Sequence, residues 1–99
     1  MDDVVLTFYC AAAEADMIAE NLSTASALPV HVRAENVHGH DFGDAKISEQ
    51  VLGQLARAAV TLEAPRATAE ALVRTVAALR RGMPVRWVMV PVVARGRFT

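Results

Sequence analysis

Residues 51–62 read VLGQLARAAVTL, and the fold turns on whether this stretch is a helix or a strand. Leu, Ala and Arg favour helix, so local propensity points that way. From residue 52 to residue 62, however, Ala56, Ala58, Val60 and Leu62 alternate with Leu55, Arg57, Ala59 and Thr61. That two-residue period belongs to a strand. The two readings compete locally, and only the elements on either side argue for the strand.

Upstream, residues 4–10 are rich in β-branched and aromatic side chains and read as a buried strand. Leu6, Phe8 and Cys10 share one face, Val5, Thr7 and Tyr9 the other, and both are largely apolar, as in a central strand. Residues 13–25 space Ala15, Ile18, Leu22 and Ala25 as one helix face, with Glu14, Asp16 and Glu20 in the half where the helix dipole favours acids. Pro29 stops that helix. Residues 30–37 then alternate Val30, Val32 and Ala34 with His31, Arg33 and Glu35, a half-exposed strand at or near a sheet edge.

Downstream, Pro65 stands where a helix start tolerates it. The segment to Arg81 places Ala69, Leu72, Val76 and Leu79 on one face and crowds Arg74, Arg80 and Arg81 toward its end, with Gly82 as the expected cap. Residues 85–93, VRWVMVPVV, form a last β-prone run whose Pro91 implies an edge, a bulge or the strand end. The order is β-α-β-β-α-β. This predicts a single α+β domain over residues 1–99 with a ferredoxin-like fold: a four-stranded antiparallel sheet ordered 4-1-3-2, two helices on one face, and a long β2–β3 loop. The other sheet face then needs cover, which favours oligomerisation.

Composition narrows the function classes. Ten basic and eleven acidic residues give a net charge of −1, which offers no support for bulk nucleic-acid binding. The distribution is uneven: residues 1–49 hold nine acids and two bases, residues 50–99 eight arginines and two glutamates. One cysteine, Cys10, rules out an internal disulfide and fits a reducing compartment. No signal pattern follows the acidic start, and the apolar runs are too short to span a bilayer. The expectation is a cytoplasmic protein without direct membrane insertion. No Gly-rich phosphate loop, nucleophile elbow or catalytic carboxylate pair is present, which argues against an enzyme.

Residues 38–53, HGHDFGDAKISEQVLG, are too polar and too long for a tight hairpin turn, and loops of that length are disproportionately functional. His38 and His40 point to the same side if extended, an arrangement that chelates Zn, Cu or Ni, and Asp41 adds an oxygen ligand. A solvated pair at the loop base is the plainer alternative. In the expected topology the ends of strands one and two and of the second helix share one rim. That would bring Cys10, His38, His40, Arg80 and Arg81 together, although a buried, inert Cys10 is the default. Phe42, Ile47, Glu49 and Gln50 are candidates for partner contact, with Ile47, Val51 and Leu52 giving the loop's second half a helical turn capped by Ser48.

Four features carry a family resemblance: LTFYC in the first strand, HGH followed by SEQVLG, a strand followed by basic residues, and a last strand with an aromatic and then VPVV. Together they resemble the PII-like signalling proteins and the related CutA proteins. They most resemble an uncharacterised PII-like family of unknown function found beside heavy-metal efflux genes. The resemblance implies a homotrimer, a ligand cleft between subunits, a T-loop role for residues 38–53, and a membrane transporter or efflux component as partner. PII proteins cradle ATP phosphates with a glycine- and lysine-rich segment before the last strand. Here that link is Arg80-Arg81-Gly82-Met83-Pro84, with one glycine and no lysine. This argues against ATP binding in the PII manner and leaves Arg80 and Arg81 as candidate ligands for a smaller anion.

Overall fold

In the computed structural model, which describes residues 2–38 and 54–99, the disputed stretch is a strand. The elements are β1 (Asp3–Ala11), a short 3-10 turn (Ala12–Glu14), α1 (Ala15–Ser26), β2 (His31–His38), β3 (Gln54–Pro65), α2 (Arg66–Ala77) and β4 (Arg86–Pro91). The four strands form one sheet ordered β2-β3-β1-β4 with every neighbouring pair antiparallel. Read from the other edge, this is the 4-1-3-2 order expected of a ferredoxin-like α+β fold.

Tertiary pairing decides the fate of β3. It sits between β1 and β2, so its backbone bonds on both sides, and a helix there would strand both neighbours. Phe8 pairs with Val60, Leu6 with Leu62, Cys10 with Ala58 and Val4 with Ala64, all on the face that the helices cover. Of the alanines that raise helix propensity, Ala58 belongs to the helix-covered core, where a small side chain lets the helices approach the sheet. From the helices, Ala15, Ile18 and Leu22 of α1 and Ala69, Leu72 and Val76 of α2 complete the buried core. Ala25, expected on the same stripe of α1, is exposed.

The helix ends differ from the sequence expectation in instructive ways. α1 stops when Ala27 takes a left-handed conformation, φ 55°, while the Ser26 hydroxyl donates to the Leu22 carbonyl and accepts from the Leu28 N–H. A side chain with a Cβ pays steric strain there, and glycine does not. Ala27→Gly is therefore expected to stabilise the fold by about 0.5–1 kcal/mol, read as a rise in the urea midpoint with an unchanged slope; a fall would show that the strain lies elsewhere.

α2 ends at Ala77, not at Arg81, and Gly82 is not its cap. Leu79 N–H bonds to the Val76 carbonyl in a tighter turn, and the chain then leaves the helix axis. The cause is tertiary. Gly82 N–H donates to Glu14 Oε2 at 2.7 Å, and the Pro84 carbonyl accepts from Arg57 at 3.4 Å. Arg74 alone lies in the last turn of α2, and Arg80 and Arg81 belong to the link that follows. Pro91 closes β4, the edge strand, where its missing N–H costs little.

Candidate functional site

β1 and β2 run in the same direction on either side of β3, so their C-terminal ends share a rim with the α2–β4 link. The candidate residues are distributed unevenly along it. Cys10 is aligned with Ala58, and Ala58 with Ala34, which is four positions short of His38. With about 3.3 Å per residue along a strand and about 4.8 Å between strands, the Cys10 and His38 Cα atoms lie roughly 16 Å apart. The rim does not bring Cys10 and His38 into one ligand set. His38 ends β2 as an exposed residue. His40, Asp41, Phe42, Ile47, Glu49 and Gln50 lie outside the described residues. Among those described, no group of three or more His, Cys, Asp or Glu side chains is placed to hold a metal ion.

Cys10 belongs to the core. It is 0% exposed, and its Sγ lies 3.7 Å from the Ala58 carbonyl. Burial pushes its thiol above the ordinary value, an effect that Arg57 opposes and Glu14 reinforces. Such a thiol stays protonated and is a poor nucleophile or metal ligand at neutral pH. The sign of the linkage follows: the raised folded-state value makes the protonated thiol a stabilising term below its unfolded value, near 9.0, which is lost as pH rises further. Above about pH 9 the wild type is expected to lose stability more steeply than Cys10→Ala. Urea midpoints measured from pH 8 to 10.5 would check this, and parallel profiles would refute it.

The residue that sequence reasoning missed is Arg57. Alternation sets it on the face opposite Ala58 and Val60, where a charged side chain ordinarily stays in water. It is instead 6% exposed, and its Nη2 donates to the Tyr9 carbonyl at 3.1 Å and to the Pro84 carbonyl at 3.4 Å. One guanidinium thus ties the start of β3 to the end of β1 and to the link before β4. No local signal separates such an arginine from a surface one; its partners are 48 and 27 positions away in the chain. Beside it, the Arg86 guanidinium lies over the Tyr9 ring, 4.2 Å from the centroid.

Glu14 completes this corner. Its Oε2 takes the Gly82 N–H, while its Oε1 is buried without a hydrogen-bond partner among the described residues. The glycine N–H that an anion nest would offer is therefore already occupied by a carboxylate of the chain itself. Arg80 and Arg81 stand exposed next to it, with Arg81 Nη1 donating to the Leu79 carbonyl at 3.3 Å. Arg81 also borders a small apolar cleft of about 100 Å³ with Phe8, Val76, Val85 and Trp87.

The fold and this rim define a class: a ferredoxin-like α+β protein with helices on one sheet face and the other face open. The family model described as protein of unknown function DUF3240 matches residues 1–99, and the chain belongs to that family. A crystal structure of a DUF3240 family protein from Shewanella baltica OS155 superposes with a TM-score of 0.77, covering 100% of this chain and 99% of that one at 15% identity. At that identity the likeness concerns the fold. No curated protein matches the chain. Among the described residues no helix is long and apolar enough to cross a membrane.

Proposed function

We propose that this chain is a PII-like adaptor that works as a homotrimer in the cytoplasm. A metal ion or small anion binds between subunits near the base of residues 38–53, and that segment contacts a partner protein, a membrane transporter or efflux component. The observation that supports it best is the sheet itself. β2 and β4 are two different open edges, and β2 presents eight residues without the proline or lysine that usually blunts an edge. Joining two unlike edges head to tail gives a ring when the rotation closes, and a ring of this kind creates clefts between neighbours. Val88 and Val90 on the open face are exposed in the single chain and would be covered in such a ring.

The ligand is the part to test first. Calorimetry with Zn²⁺, Cu²⁺ and Ni²⁺ on the wild type and on His38→Ala/His40→Ala should give heat that the double variant loses. No heat with any metal removes the metal ligand and leaves a small anion at Arg80 and Arg81. Retained binding in the double variant removes the histidines. Because Glu14 holds the Gly82 N–H, ATP, ADP and AMP are expected to bind weakly or not at all. A second reading, a metal-binding protein of a tolerance system without a signalling role, is favoured by the exposed His38 at the end of β2. Metal binding that leaves partner capture unchanged would select it.

A further inference from the structure

We propose that residues 92–99 form an arm that docks on the open sheet face of a second copy of this chain, with the Phe98 ring in a groove beside Pro29, His31 and Thr61 and the Arg97 guanidinium at the Glu63 carboxylate. The proposal rests on the oligomeric assembly proposed above.

The arm is tethered at its root and bare at its tip. Val92 N–H donates to the Asp3 carbonyl at 3.0 Å, so the chain leaves β4 beside the start of β1. Arg95 then binds Asp3 Oδ2 at 2.6 Å and lies 3.6 Å from Glu63 Oε2. Beyond that point the arm makes no regular secondary structure, and Val93 and Phe98 are 95% and 103% exposed. Phe98 has no packing partner among the described residues. An aromatic side chain carries one of the largest burial gains available to a docking segment.

The groove supplies what the tip lacks. It has a volume of about 430 Å³, in the range of cavities that receive a bulky apolar group. Val5 and Pro29 give it apolar walls, and His31, Thr61, Glu63 and the chain's own Arg95 a polar rim. The charges are complementary. Asp3 and Glu63 bring two carboxylates to this end of the face, and Arg95 brings one guanidinium. Arg95 holds Asp3 closely and Glu63 loosely, and Glu63 keeps about half of its side chain exposed. One carboxylate charge is left over, and Arg97 immediately precedes Phe98. The groove borders β2, the edge that the ring would join to a neighbour, so arm and edge belong to one continuous contact. A second copy is the occupant because the chain's own arm reaches the groove only with Arg95 and leaves Phe98, three residues on, fully exposed outside it. Each chain gives one and receives one, the condition for a closed ring.

Mixed cross-linking tests this directly. Thr99→Cys, which keeps the Phe98 ring and Arg97, and His31→Cys are made as single variants carrying different tags, co-expressed and oxidised under mild conditions. Both positions are exposed, so neither variant threatens the core. A disulfide between the two differently tagged chains is expected, and it should be depleted severalfold when Arg97→Glu is added to the arm. The pair Thr99→Cys with Ala71→Cys, on the exposed side of α2, should not cross-link. No mixed disulfide in a sample whose light-scattering mass is oligomeric would overturn the docked arm and leave the ring standing. No mixed disulfide in a monomeric sample would overturn both. Equal cross-linking to His31→Cys and Ala71→Cys would show random collision and also overturn the docking.

Discussion

Phe8→Ala is expected to destabilise the fold by about 3–5 kcal/mol, the range for removing a buried aromatic ring. Phe8 is 1% exposed at the middle of β1, where it pairs with Val60 of β3 and Trp87 of β4. The surrounding core is built from Val, Leu, Ile and Ala, and the ring is its largest fully buried side chain. Two of its neighbours are held by strand pairing and others by helix packing, so the site cannot collapse to fill the space. For a domain of this size each kcal/mol is worth about 4–8 °C in Tm. Total stability in such domains is about 5–15 kcal/mol, so the variant should be marginal at 37 °C. Urea unfolding followed by circular dichroism would measure it. A loss below about 1 kcal/mol would mean that the core repacks freely around β1.

Arg57→Ala comes second, at about 2–3 kcal/mol. It removes hydrogen bonds from a charged donor and leaves two carbonyls, those of Tyr9 and Pro84, short of a partner. Arg57→Lys should recover little of this, because the shorter side chain does not carry its ammonium to the place of the Nη2 that donates to both oxygens. The effect should also be local in a readable way. Amide exchange should quicken in the link around Gly82 and at the end of β1 before it changes in α1. If Lys restores full stability, or exchange rises evenly over the chain, Arg57 contributes only packing.

The element order was legible in the residues because alternation, proline placement and helical spacing agreed over most of the chain. The 51–62 stretch was the exception. Its alanines and arginine speak for a helix, and its two strand neighbours overrule them. The end of α2 was misplaced for the same kind of reason. Nothing within residues 78–84 announces that Glu14 will hold Gly82 or that Arg57 will hold Pro84. The site was less legible still. Counting chain direction correctly put Cys10 and His38 toward one rim, but not the four-position offset between β1 and β2 that separates them. Burial then makes Cys10 a core residue. A charged residue on an alternating strand reads as solvated, and Arg57 shows how a long side chain can fold over the sheet to bond backbone instead.

The cleft, the docked arm and the partner segment all depend on assembly. Light scattering coupled to gel filtration, at micromolar protein and moderate salt, is therefore the most direct measurement. A homotrimer predicts a mass three times that of the 10.6 kDa chain, unchanged on dilution across tenfold in concentration. A mass of 10.6 kDa throughout would contradict the ring and with it the intersubunit site.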